Sequence, residues 1–334
     1  MKIIVPMAGM GKRMRPHTLS VPKPLLPVAG KPIVQRLVED ITKVCDQKVE
    51  EIAFVTGRFG EAIEANLLKV AENLGAKGKI YYQDEPMGTA HAVLCAAPSL
   101  DGNVIVAFAD TLFRADFTLD KSKDGIIWVQ KVDNPSSFGV VKVDSNNIIT
   151  DFIEKPKSFI SDLAIIGIYY FADGLNLRNE LQYLIDNNIK GNNEYQLTDA
   201  LQNMRKKGIK FSPGQVNDWL DCGNKQATVD ANKRILEYIK DEKLIDDSAN
   251  IENSAVIAPC FIGKNVKIVN SVVGPYTSIG ENCVISQTVL SNSIIQTNTK
   301  ITNANITNSM IGNFTICEGS GKDLSVGDYN QLTI

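Results

Sequence analysis

Apolar residues recur along this chain with two different periods, and the change comes near residue 243. Before it, short apolar runs alternate with stretches whose apolar positions return every three or four residues. Ile3–Val5, Glu51–Thr56, Ile80–Gln83, Val104–Ala109, Ile126–Val132 and Leu163–Phe171 read as strands. Pro32–Val44 carries Ile33, Leu37, Val38, Ile41 and Val44 at helical spacing. Glu61–Leu74, Thr89–Ala97, Leu181–Asn187, Leu197–Lys207 and Gln226–Lys243 also read as helices. Phe138–Val143 and Ile148–Glu154 flank the turn formers Asp144–Asn147 and predict a hairpin. The alternation predicts an α/β domain over 1–243, with helices packed on a mixed, mostly parallel sheet.

After the junction at Asp246-Asp-Ser, large aliphatics return every five or six positions, from Val256, Ile262, Ile268 and Val273 to Ile306, Ile311 and Ile316. Asn, Ser, Thr and Gly fill the intervals. Such a period suits neither a helix nor an ordinary strand. It predicts a hexapeptide-repeat, left-handed parallel β-helix over 244–334, with one aliphatic pointing inward per short strand. The small polar residues suit tight corners, where Asn tolerates a positive φ.

Composition narrows the function. The 334 residues are 44% hydrophobic and 22% charged, with a formal net charge of −3 and a pI of about 5.6. A weakly acidic chain argues against nucleic acid as a partner, and no apolar run has the length of a membrane span. The start, MKIIVPMAG, turns to Pro and Gly too early for a signal peptide. Six scattered Cys without a C-x-x-C pair, and only two His, argue against zinc and for reduced thiols in the cytoplasm.

Against that acidic background, Met7–Val28 packs four Lys or Arg (Lys12, Arg13, Arg15 and Lys23) among Pro and Gly directly after the first strand. A Gly-rich, basic turn after a strand suits phosphate. Successive backbone N–H groups form an anion nest; Gly9 and Gly11 permit close approach; Arg13 offers a bidentate fork and Lys23 a point charge. The stretch is neither a Walker A loop, since Arg13 follows Gly11-Lys12, nor a dinucleotide fingerprint, since Met14 occupies the third Gly position.

The signature Gly9-Met-Gly11-Lys12-Arg13-Met-Arg-Pro16, followed by Lys23-Pro24-Leu-Leu-Pro27, resembles that of the sugar-1-phosphate nucleotidylyltransferases. Further segments are similar in order. Gln83-Asp-Glu-Pro-Met-Gly88-Thr89 resembles the base-reading segment, Phe108-Ala-Asp110 a strand-end metal aspartate, and Phe138-Gly139 the sugar-side loop. Glu154-Lys155-Pro156 resembles the grip on the sugar and its phosphate, and Trp219-Leu-Asp221-Cys-Gly223 the segment with a second metal aspartate. The likeness covers the first two thirds of the chain, and the tail resembles that of long-form members. Lys12 departs from the family's usual Thr or Ser.

The resemblance implies a Rossmann-like sheet and an enzyme that joins a nucleoside triphosphate to a sugar 1-phosphate with Mg²⁺, releasing pyrophosphate. It implies Ala8, Gly9, Gly11, Lys12, Arg13, Lys23, Gln83, Gly88, Thr89 and Asp110 on the nucleotide. Gly139, Glu154, Lys155, Gly167 and Tyr169 fall to the sugar phosphate, Asp110 and Asp221 to the metal, and Arg13, Lys23, Asp110 and Lys155 to catalysis. A thymidylyl enzyme acting on glucose 1-phosphate is the first expectation; uridylyl and mannose-1-phosphate guanylyl transfer share the skeleton. A noncatalytic nucleotide-sugar sensor is the alternative of another class, which the intact set of aspartates and cations does not favour. Acetyl transfer by the β-helix is disfavoured because no His follows His91. The tail is then expected to serve packing, in a homo-oligomer. His17 could touch phosphate or simply pack, His91 is expected to be a surface or packing residue, and Thr198-Asp199 could border the sugar or cap a helix.

Overall fold

The structure is a computed structural model that describes residues 1–9, 11–45, 47–115 and 118–333. Packing divides it into two compact units, Met1–Gly9 with Leu37–Trp219, and Met10–Arg36 with Leu220–Ile334.

The first unit is built on a mixed sheet. Its strands lie in the order 149–154, 139–143, 163–171, 104–107, 2–6, 51–56, 77–82. The last four run parallel to one another, and Leu163–Phe171 joins them antiparallel through Val104–Ala107. Gly125–Lys131 pairs antiparallel with Leu163–Phe171 and parallel with Phe211–Gln215. The expected hairpin is present, Gly139–Val143 against Ile149–Glu154. Ile3, Ile4 and Val5 are fully buried, as a run covered on both faces must be. One core joins Ile4, Val93, Val106, Leu177, Leu201 and Phe211 across sheet and helices.

Several elements differ from the sequence reading, among them a strand at Lys77–Tyr82 rather than Ile80–Gln83, a helix that ends at Leu94 rather than Ala97, and strands at Thr111–Arg114 and Asp218–Asp221 that the apolar pattern does not announce. Phe211–Gln215 is a strand despite Pro213 and Gly214. It pairs on one side only, and an unpaired edge tolerates the missing N–H of a proline. The helix before residue 187 starts at Gly174, because the Asp173 side chain accepts from the Asn176 N–H and caps it. The last helix stops at Tyr238 rather than Lys243; Asp241–Lys243 are exposed and offer it no apolar face.

In the second unit the tail is a left-handed parallel β-helix with three stacks of short strands. One stack runs from Asn250–Glu252 through 267–269, 284–286 and 300–302 to 316–318 and Gln331–Thr333. A second starts at Ala255–Val256 and a third at Cys260–Ile262, each paired parallel with the coil above. Ile268, Ile285 and Ile301 stack inside, as do Val273, Leu290 and Ile306, and Ile262, Ile279, Ile295 and Ile311, all at most 1% exposed. The corners carry residues of positive φ, mostly Asn. Asn265 Nδ2 donates to Asn282 Oδ1 (3.1 Å) and Asn292 Nδ2 to Asn308 Oδ1 (3.2 Å). Small, hydrogen-bonding side chains thus satisfy the corners where the chain turns. Cys260, Cys283 and Cys317 lie inside, and burial pushes the Cys283 thiol up to about 12.

The same unit includes the basic turn. Met14 is fully buried, with the Thr228 hydroxyl 3.6 Å from its sulfur. The turn at Ala29-Gly30 has φ of 48° and 85°, and a Cβ on Gly30 would lie 2.3 Å from the Phe261 ring. Arg36 closes it from one side, donating to the Val28 and Ala29 carbonyls at 2.6 Å each. Asn232 of the Lys225–Tyr238 helix closes it from the other, accepting from the Ala29 N–H at 2.8 Å.

Candidate functional site

The four parallel strands of the first unit point their carboxyl ends to one edge of the sheet. Strand order reverses at Lys2–Pro6, which has Glu51–Thr56 on one flank and Val104–Ala107 on the other. At such a reversal, connections leave in opposite directions and a crevice opens at the carboxyl edge. Ala8 and Gly9 follow the first strand, Gln83 follows Lys77–Tyr82, and Asp110 follows Val104–Ala107. Backbone bonds hold these ends in place: Met7 N–H to Val55 O (2.8 Å), Gln83 N–H to Thr56 O (2.9 Å), Ala109 N–H to Pro6 O (3.3 Å) and Phe108 N–H to Gly167 O (2.9 Å). Gly9 is exposed, and a Cβ there would meet nothing within 4 Å, so its backbone stands open to a ligand.

On the Gln83 side, the amide Nε2 donates to the Gly88 carbonyl at 3.2 Å and lies 3.1 Å from His91 Nδ1. Gly88 has φ of 118°. A Cβ there would lie 2.4 Å from Tyr195 O and 2.7 Å from Tyr195 N, so only glycine lets these backbones pass. Tyr195 N–H donates to Met87 O and Ala90 N–H to Tyr195 O, at 2.9 Å each. Thr89 Oγ1 accepts from the Leu197 N–H at 2.9 Å and donates to Gln196 Oε1 at 3.3 Å. Thr89 is therefore committed to binding residues 196–197 to the start of its own helix.

On the hairpin side, Glu154 and Lys155 end the strand Ile149–Glu154, 3.4 Å apart as an ion pair. Lys155 has φ of 42°, held by its N–H donating to Phe138 O at 3.1 Å. A Cβ on Gly139 would sit 3.1 Å from Glu154 Oε2, and Thr198 Oγ1 donates to that oxygen at 3.4 Å. Burial, then the Glu154 charge, raises the Asp199 pKa. Burial, then Glu154 and Asp110, pushes the Tyr169 hydroxyl far above its usual range, so it stays a neutral donor. Gly167 has φ of 83° and faces Phe108 and Thr111.

The second unit holds Gly11, Lys12, Arg13, Lys23 and Asp221. Gly11 has φ of 58°, and a Cβ on it would lie 2.8 Å from Lys23 Cβ. Thr18 Oγ1 donates back to its carbonyl at 2.8 Å. Lys12, Arg13 and Arg15 are exposed, whereas Lys23 is buried in the turn Lys23–Leu25. Lys12, in place of the family's hydroxyl residue, adds a solvent-facing cation. Asp221 Oδ1 accepts from the Gly223 N–H at 2.9 Å in a tight turn.

His17 is 1% exposed, with Nε2 3.2 Å from Ser325 Oγ. Ser20 donates to Asp328, and a Cβ on Gly327 would meet Pro16 at 3.0 Å. The basic turn thus rests on the last coil of the β-helix. Burial holds the His17 pKa down at about 4, against the pull of Asp328, with Lys225 adding to the drop.

Among the described residues no group of three or more His, Cys, Asp or Glu could enclose a metal. Mg²⁺ needs no such group, since it keeps waters and takes one or two protein oxygens together with substrate phosphates. Thr198 and Asp199 do not cap their helix; its first flanking residue is Gln196, without a side-chain cap. The bond from Thr198 to Glu154 crosses 44 residues of chain, and the bond between Thr89 and Gln196 crosses 107. His91 is half-buried against Gln83. Spacing along the chain carries no signal for contacts of this kind.

Several known proteins are similar to this chain in sequence or fold. A glucose-1-phosphate thymidylyltransferase of Streptomyces griseus is 28% identical over 310 residues, covering 86% of this chain and 85% of that protein. The bifunctional protein GlmU of Methanococcus aeolicus is 35% identical over 246 residues, covering 72% of this chain but only 56% of its own length. A UDP-glucose pyrophosphorylase solved with UDP-glucose superposes with a TM-score of 0.59 at 25% identity, over 71% of this chain and 98% of its own. The profile of the Nucleotidyl transferase family matches residues 2–238, a span that includes every segment at the carboxyl edge of the sheet, and the chain belongs to that family.

Proposed function

We propose that the protein transfers a nucleotidyl group from a nucleoside triphosphate to a sugar 1-phosphate, releasing pyrophosphate, with glucose 1-phosphate and a thymidine or uridine nucleotide as the first substrates to test. The observation that carries this reading is the placement of Gly9, Gln83 and Asp110 together at the carboxyl edge of the parallel strands, where strand order reverses.

The chemistry asks little of acid–base groups. The attacking oxygen of a sugar phosphate is already anionic, so the task is to bring two anions together in line. Arg13 and Lys23 hold the triphosphate in this reading, and the open backbone at Gly9 admits it. Lys155 takes the sugar phosphate, and Glu154 accepts from sugar hydroxyls, its oxygen oriented by Thr198. Tyr169, kept neutral, adds no negative charge to a site that already holds two phosphates. Asp110 and Asp221 are the carboxylates that would hold Mg²⁺. When bound, the metal supplies positive charge to phosphate oxygens as negative charge builds on them.

The relatives' names favour thymidylyl or uridylyl transfer over guanylyl transfer. The test is pyrophosphate release across a panel of nucleoside triphosphates and sugar 1-phosphates, with and without Mg²⁺. Asp110→Asn and Asp221→Asn are each expected to lower turnover by about two orders of magnitude with the fold intact. Full rates in either folded variant would remove that residue from the metal site. A wild-type protein that binds nucleotide sugar but releases no pyrophosphate with any pair would favour a sensor instead.

A further inference from the structure

The Gln83 amide is held with a defined polarity. The Gly88 carbonyl can only accept, so the atom 3.2 Å from it is the amide nitrogen. That nitrogen has only hydrogens to offer His91 Nδ1, 3.1 Å away, so Nδ1 must be the bare nitrogen of a neutral ring. The ring's proton then sits on Nε2, 3.9 Å from Cys95 Sγ. Burial lowers the His91 pKa, against the charge and backbone carbonyl of Glu85, in keeping with a neutral ring. Both hydrogens of the Gln83 amide are thereby engaged, one by Gly88 and one by His91. Gln83 Oε1 has no partner among the described residues, and it is the face left for a ligand.

We propose that His91 is a positioning residue that locks the Gln83 amide with its oxygen toward the nucleotide base, making the site select bases that present a ring N–H. Uracil and thymine carry that hydrogen on N3. Cytosine has nearly the same shape but a bare N3, which would face an oxygen and find no donor. Without His91, only the Gly88 carbonyl opposes rotation of the amide, and a rotated amide can donate to cytosine. This rests on the reading of the site as a nucleotidyl site, and it goes further in naming what sets the base class.

The test is direct competition of UTP, dTTP and CTP for the protein without sugar phosphate, alongside turnover with each. Wild type is expected to bind UTP or dTTP at least tenfold more tightly than CTP. In His91→Phe, which keeps a ring but has no acceptor, that ratio should fall by about tenfold, while turnover at saturating preferred nucleotide changes less than twofold. His91→Asn, whose Oδ1 can replace Nδ1, should restore most of the ratio; a merely structural role would not follow the acceptor in this way. An unchanged ratio in folded His91→Phe overturns the proposal. So does a wild-type preference for CTP, which needs no variant to observe. Binding with the expected ratios but no turnover would sink the transferase reading and leave this one standing.

Discussion

Asn232→Ala should cost the second unit several kcal/mol, although Asn232 touches no residue assigned to chemistry. Its side chain is fully buried. Oδ1 accepts from the Ala29 N–H (2.8 Å) and from the Ser278 hydroxyl (2.7 Å), and Nδ2 donates to the Tyr276 carbonyl (3.2 Å). One amide therefore ties the strained turn, the last helix and the β-helix. Truncation leaves three polar groups unpaired, each costing about 1–3 kcal/mol if no water reaches it. Alanine is the better helix former by about 0.6 kcal/mol, which offsets part of the loss. The net expectation is about 2–8 kcal/mol, or a fall in Tm of roughly 4 °C or more for a unit of this size. Calorimetry reads the total. Hydrogen exchange of the peptide spanning residues 27–32 reads the cause, since the Ala29 amide loses its acceptor. A loss below about 1 kcal/mol, with Ala29 still protected, would refute the reasoning. It would mean that water or a neighbouring group satisfies the three partners.

Gly88→Ala forces a Cβ into the Tyr195 backbone at a φ of 118°, so it should cost at least about 2 kcal/mol and weaken nucleotide binding; unchanged Tm and affinity would show that this loop yields. His17 is buried neutral with its pKa near 4. The unfolded chain takes up that proton near pH 6.5, so this stability is complete above pH 6.5 and is lost as pH falls toward 4, by about 3 kcal/mol in all. Urea unfolding at pH 7 and pH 5 should show a smaller drop for His17→Gln than for wild type, and equal drops would locate the acid sensitivity elsewhere.

Much of this protein is written locally. Leu163–Phe171 and Glu51–Thr56 have the bounds their apolar runs suggest, because a buried strand needs only a run of the right residues. The hexapeptide spacing announces the β-helix for a similar reason: each coil repeats one short-range rule, and Ile262, Ile279, Ile295 and Ile311 obey it in turn. The motifs at Gly9, Gln83 and Asp110 stand out because each follows directly on its strand. Other features depend on contacts between distant segments, which leave no period behind. Residues 11–36 pack with residues 220–333, which follow much later in the chain. His17 is buried because Ser325 lies 308 residues further along the chain. A strained Ala29 is held by a helix amide 203 residues away. The polarity of Gln83 is set by His91, whose role depends on where a glycine carbonyl and a helix turn place its ring. Period and composition record what each residue needs from solvent or core, whereas a hydrogen-bond partner is chosen only when the chain closes on itself.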